Sequence, residues 1–146
     1  FNNLKKYGQS FATSSVTVKK DIFKQTGYFD IGRKYIAWED FDAWIRLSKK
    51  TNNFYKINRS LSTINIDNTN LLDDKLKIKN TYLFLNKYIK SHEKVPIWCL
   101  YNILVAEYNL LNFKEVKKIL KEIAFVELNL KKKINFIRIF LLTFFK

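Results

Sequence analysis

The sequence predicts an α/β protein: a mixed part over residues 1–69, followed by an α-helical extension over residues 70–146. Three observations lead there. Phe11 to Val18 alternates, with Ala12, Ser14, Val16 and Val18 on one side and Phe11, Thr13, Ser15 and Thr17 on the other. That alternation, enriched in β-branched residues, is a strand pattern. Phe54 to Ile57 and Leu61 to Ile66 read as short extended segments. From Leu71 onward apolar residues recur at helical spacing.

Taken in order, Lys19 to Thr26 reads as a short helix that Gly27 ends, because glycine adopts the left-handed conformation at little cost. Ile22 and Phe23 are expected to face a sheet, with Tyr28 and Phe29 turning inward. Residues 30–37 lack a period and contain Gly32, so a loop is expected. A helix begins near Glu39 or Asp40, with Phe41, Trp44, Ile45 and Ser48 at helical spacing. Asp42 and Arg46 form a favourable i,i+4 pair on it. Asp67 to Asn70 is a polar candidate boundary.

Four helices are expected beyond it. Their stripes are Ile78, Tyr82, Leu85 and Ile89; Trp98, Tyr101, Val105 and Tyr108; Val116, Ile119, Leu120 and Ile123; and Ile134, Ile137, Leu141 and Phe144. Pro96 suits the first turn of the second of these helices. The second and third, joined near Asn112, resemble a helical hairpin of the general tetratricopeptide type, without a second copy.

The formal net charge is +14. Residues 1–70 hold 12 Lys/Arg against 6 Asp/Glu, and residues 71–146 hold 15 against 7, so the charge is not confined to a tail. A basic surface favours polyanions: nucleic acid, anionic lipid or phosphorylated substrates. An abundance of Lys, Asn, Ile and Phe from AT-rich coding accounts for it equally well. Cys99 is the only cysteine, which excludes an internal disulfide, leaves a structural zinc site unsupported and fits a reducing compartment. His92 is the only histidine, which excludes a two-His metal site. Glycine occurs only at Gly8, Gly27 and Gly32, so a glycine-rich phosphate loop is absent. Ser14 and Ser15 have no nearby histidine, so a serine hydrolase is not supported. Because the chain begins with Phe1 rather than Met, a processed, engineered or excised chain is expected. No signal-peptide pattern is visible.

The densest chemistry lies in Trp38-Glu39-Asp40-Phe41-Asp42-Ala43-Trp44-Ile45-Arg46-Leu47. Three carboxylates fall within four positions of an otherwise basic chain, among two tryptophans and a phenylalanine. Acids in the first turn of a helix accept its free N–H groups and complement its dipole, which is the plain reading. An exposed cap needs no tryptophans around it, however. Carboxylates partly buried against apolar rings hold their protons more tightly, which suits a base.

This block, together with the run from Phe11 to Asp30, resembles the second half of the catalytic domain of family 2 glycosyltransferases. These are GT-A fold enzymes that use nucleotide sugars. The shared features are a serine-rich strand, a short helix, a Gly-x-Phe-Asp turn (Gly27 to Asp30) and a Glu-Asp pair opening a helix with Trp and Arg. The resemblance covers roughly Phe11 to Leu61. It implies the C-terminal part of a GT-A, Rossmann-like domain over residues 1–69, carrying the acceptor side. It implies that Asp40 is the catalytic base, that Glu39 binds acceptor hydroxyls or orients the base, and that Trp38 stacks on a sugar or packs in the core. Asp42 and Arg46 are read as structural.

The implied partners are a nucleotide-sugar donor and a glycan or lipid-linked acceptor. The setting is bacterial surface polysaccharide assembly at the cytoplasmic face of the inner membrane. The family's divalent metal, Mg or Mn, sits on an Asp-x-Asp at the end of an apolar strand, in a half of the domain that this chain lacks. Asp40-Phe41-Asp42 is not that motif, because it opens a helix. Leu61 to Asn68 also lacks the Arg and His that many relatives carry there, which puts phosphate or metal contact from that stretch in doubt. The chain alone is accordingly expected to be inactive.

Two rival readings are a non-enzymatic basic helical interaction module and a membrane-surface or nucleic-acid-binding protein. No nucleic-acid module pattern is present, and nucleic acid is not an expected partner. No segment reaches the roughly 20 apolar residues that span a bilayer. The last helix is apolar on nearly every side and follows Lys131, Lys132 and Lys133, a combination that lies in membrane interfaces. The alternative is that its stripe completes the helical core.

Overall fold

The computed structural model describes residues 1–9, 11–32, 37–59 and 73–145. Its helices are α1 (Asn2–Tyr7), α2 (Lys20–Gln25), α3 (Glu39–Ser48), α4 (Asp74–Tyr88), α5 (Ile97–Asn109), α6 (Phe113–Glu122) and α7 (Leu130–Phe144), with 3₁₀ turns at Thr13–Ser15 and Phe125–Glu127. Two compact units divide the chain, Phe1–Leu71 and Leu72–Lys146.

The described residues contain no strand, which overturns the α/β expectation and the Rossmann-like GT-A fragment with it. The physical reason is visible at Phe11 to Val18. A strand needs a neighbouring backbone to complete its hydrogen bonds, and none pairs with this segment among the described residues. Its centre bonds locally instead. Ser15 and Val16 donate N–H bonds back to Ala12 and Thr13, and the Ser15 hydroxyl donates to Ala12 at 2.6 Å. The flanks, Ala12 and Val16, keep extended dihedrals. Phe54 to Ile57 is likewise free of helix and unladdered, with Phe54, Tyr55 and Ile57 exposed. Leu61 to Ile66 and the Asp67–Asn70 boundary lie outside the described residues.

In the first unit, α2 stops where glycine permits it. Gly27 has φ +80° and donates its N–H to Lys24, and Tyr28 follows at φ 57°, donating to Phe23. Helix α3 is the centre of this unit. Phe41, Ala43, Trp44, Ile45, Leu47 and Ser48 are buried, so the expected stripe of Phe41, Trp44, Ile45 and Ser48 is its inner face and nearly all its circumference is covered. Phe23 faces a helix and not a sheet, its ring stacking 6.2 Å from Trp44. Tyr28 and Phe29 set their rings edge-on to Phe23 at 5.4 and 5.1 Å while staying partly open to solvent.

The second unit is a run of helices in which each packs on the next: α4 on α5, α5 on α6, α6 on α7. Asp73 caps α4 by accepting the Leu76 N–H at 2.6 Å, and Asn129 caps α7 by accepting that of Lys132 at 3.0 Å. Pro96 is the N-cap of α5. The turn into α6 uses Leu111 at φ 58°, and the Asn112 amide donates to Glu107 at 2.7 Å. The core joins Leu100, Ile103 and Leu104 of α5 to Val116, Ile119 and Leu120 of α6, with Ile123, Leu128 and Ile139.

The α6 stripe is buried as its spacing predicts, whereas the other helices depart from theirs. In α4, Ile78 and Leu85 pack against the core, but the buried residues are Asn80, Thr81, Phe84 and Tyr88, and Tyr82 is exposed. In α5 the buried set is Cys99, Leu100, Ile103, Leu104 and Ala106, because α4 and α6 both cover this helix. In α7 the expected stripe faces outward: Ile134, Ile137, Leu141 and Phe144 are exposed, while Ile139 and Thr143 are buried.

Candidate functional site

The three candidate residues stand at the N-terminal end of α3. That end is built by acids: Glu39, Asp40 and Asp42 all lie in the first turn, where free N–H groups favour negative charge. Ala37 at φ 60° and Trp38 lead into it, and Trp38 makes no side-chain cap bond.

Asp40 is partly buried, and each of its oxygens is engaged. Oδ1 accepts the Phe41 N–H at 2.6 Å, so the plain capping role is present. Oδ2 accepts the Thr13 hydroxyl, and the Gln9 amide stands 3.4 Å away. Gln9 is itself fixed by donating to the Phe11 carbonyl at 2.7 Å. The carboxylate thus has one oxygen turned to its own helix and one turned to hydroxyl and amide donors from the N-terminal segment. Such an oxygen already accepts a hydroxyl hydrogen, which is the bond a base makes to a sugar hydroxyl.

Glu39 sits beside it, partly buried. Trp38 is partly buried as well and sets its ring edge-on to Phe41 at 5.7 Å. That ring contact ties Trp38 to the buried Phe41 of α3.

Asp42 and Arg46 do different work. Asp42 is only 2% exposed, and Arg46 Nε donates to its Oδ2 at 2.8 Å. The same guanidinium donates to the carbonyls of Thr26 and of Tyr28, the latter at 2.6 Å. It thereby closes the C-terminal end of α2 and the Gly27 turn onto α3. Trp44 anchors the same junction, with Phe11 and Phe29 at 6.5 and 5.9 Å. Its Nε1 is buried and has no hydrogen-bond partner among the described residues.

Thr13 and Gln9 were not among the candidates. They lie 27 and 31 positions from Asp40, and no periodicity spans that separation. The only hint is that Thr13 belongs to the serine-rich block that carries the family resemblance.

A divalent metal on a diphosphate would need several carboxylates together. Among the described residues no group of three or more His, Cys, Asp or Glu side chains converges. Asp42 is spent on Arg46, and Asp40 faces neutral donors. The described residues do not fit such a metal.

Comparison with protein families, with curated proteins and with solved structures finds no match to this chain.

Proposed function

We propose that residues 1–59 form the acceptor side of a sugar-transferring enzyme that inverts the anomeric centre, with Asp40 as general base. The observation that carries this reading is that the two patterned blocks of the sequence meet at one atom. Thr13, from the first block, donates to Asp40 Oδ2, in the second. The reading rests on these residues and not on a sheet.

In the reaction an acceptor hydroxyl takes the place of the Thr13 hydroxyl at Oδ2. Its oxygen attacks the anomeric carbon of a nucleotide sugar while its proton passes to Asp40. The bond from that carbon to the diphosphate breaks on the opposite face, and the nucleotide leaves with the bonding electrons. The buried α3 holds the carboxylate in place, which is where positioning gains its rate. Glu39 accepts hydrogen bonds from further acceptor hydroxyls, and Trp38 offers a ring face to the sugar. Residues that would hold the leaving diphosphate are not part of this proposal, so the chain alone binds acceptor and turns over no donor.

The test uses the chain as it stands. Saturation-transfer NMR with a panel of mono- and disaccharides should show transfer to sugar ring protons. Trp38→Ala and Glu39→Gln should each weaken it by about tenfold or more, the loss of a stacked ring or a charged hydrogen bond. If no saccharide shows transfer, the acceptor-side reading fails.

A second reading has one observation in its favour. The Phe41 N–H bond to Asp40 Oδ1 is a cap, as an interaction module without catalysis would also have.

A further inference from the structure

Helix α7 is amphipathic in the wrong sense for a protein surface. The side it turns to the core carries Ile139 and Thr143, with Phe136 partly buried and Asn135 donating to the Tyr101 hydroxyl at 2.9 Å. The opposite side carries Leu130, Ile134, Ile137, Leu141 and Phe144 in one line along the helix, all exposed. Leu130 is 76% and Ile134 63% exposed, and Ile137, Leu141 and Phe144 each keep nearly half of their surface in solvent. Contiguous apolar surface of this kind marks an interaction site.

The rim of that line decides what covers it. Lys131 and Arg138 flank it on one side and Lys133 on the other, as the helical spacing requires. Lys117 of α6 reaches its far end, with Nζ 5.2 Å from the Phe144 ring. Leu130 to Phe144 contains no acidic residue. An apolar line between cationic borders, with no carboxylate to repel headgroups, is complementary to an anionic bilayer surface: rings and branched chains enter the acyl boundary while the ammonium and guanidinium groups stay at the phosphates. At 15 residues the helix is too short to cross, and no described helix is long and apolar enough to do so.

We infer that the outer face of α7 is a docking surface for an anionic lipid bilayer, on which the helix lies flat. This stands apart from the sugar-transfer reading, since it uses none of the residues around Asp40.

The experiment is co-sedimentation of the full chain with phosphatidylcholine vesicles and with phosphatidylcholine–phosphatidylglycerol vesicles, at low and high salt. A chain of net charge +14 is drawn to anionic vesicles in any case, so the deciding variant is charge-neutral. Ile134→Gln with Ile137→Gln and Leu141→Gln should weaken binding by about tenfold or more through lost apolar burial. Circular dichroism should show an unchanged melt. Lys131→Gln with Lys133→Gln and Arg138→Gln should cost about fivefold per group. Lys19→Gln with Lys20→Gln and Lys24→Gln removes the same charge from the first unit and should leave more binding than the α7 set. Should the triple Gln variant lose its fold, Leu130→Gln with Phe144→Gln, at the two ends of the same exposed line, reads the same face. Wild-type binding by the Gln variants, or equal binding to uncharged vesicles, overturns the inference. So does a dimer, seen by sedimentation velocity, that the Gln variants dissociate while vesicle binding stays intact, because a second copy would then be the occupant.

Discussion

A single guanidinium ties the end of α2 to α3. Arg46 serves a carboxylate that is almost entirely buried and two carbonyls at the end of α2. Arg46→Met should cost about 2–4 kcal/mol in urea unfolding, below the full cost of breaking a buried pair because Arg46 keeps a quarter of its surface in water. A loss under about 0.5 kcal/mol, ordinary for a surface site, would remove it from the architecture. Asp40→Asn separates the two readings of its own residue. The amide oxygen can still accept the Phe41 N–H, so the fold should survive. In an enzyme containing this segment, turnover should fall roughly a hundred- to ten-thousand-fold. Near-normal turnover would leave Asp40 as a cap alone. Cys99 makes a third test. Burial pushes its thiol far above the ordinary value of 9.0. The neutral thiol is thus favoured in the folded state, and its contribution is complete below that ordinary value. Above it the unfolded chain gains charge by losing a proton that the folded chain keeps, so stability falls. Relative to Cys99→Ala, the native chain should lose about 1.4 kcal/mol per pH unit above about pH 9. Parallel pH profiles for the two proteins would contradict this.

At the scale of elements, ends and faces obey different rules. Ends are local. Gly27 at φ +80° lets α2 stop and the chain turn toward Arg46. Its missing Cβ would meet nothing closer than 3.8 Å, so a Gly27→Ala change is opposed by backbone strain and not by crowding. It should destabilise by about 1–2 kcal/mol. Asn129→Ala removes the cap of α7 and should cost about 1 kcal/mol. Either change proving neutral in thermal melts would mean that the end concerned is held by tertiary contacts instead. Faces are not local. The same apolar spacing produced a buried side in α6 and an exposed one in α7, because α6 packs between α5 and α7 whereas α7 stands at the end of the packing order.

The molecule as a whole is two units, and the second carries its own core. Leu100, Ile103, Leu104, Val116, Ile119, Leu120, Ile123, Leu128 and Ile139, all within that unit, are buried against one another. Residues 73–146 produced alone should therefore be helical and melt cooperatively, as followed by circular dichroism. A non-cooperative, sloping melt would show that the second unit depends on the first.

The Gly27 stop of α2, the start of α3 near Glu39, the Asp42–Arg46 pair, the α3 inner face and the α6 stripe were legible in the sequence, because each depends on neighbours within one or two turns. The candidate acids were legible too, as a cluster out of keeping with a basic chain. Three things were decided only by tertiary structure. Phe11 to Val18 has the alternation of a strand, but alternation cannot supply a partner backbone, and among the described residues the segment folds its hydroxyl-rich centre into a 3₁₀ turn. Gln9 and Thr13 reach Asp40 through the folding of the chain, and the distance between them in sequence hides the contact. The outward apolar line of α7 follows the same logic: periodicity shows that a helix has an apolar face, and only packing decides whether that face meets the core or is left for something else.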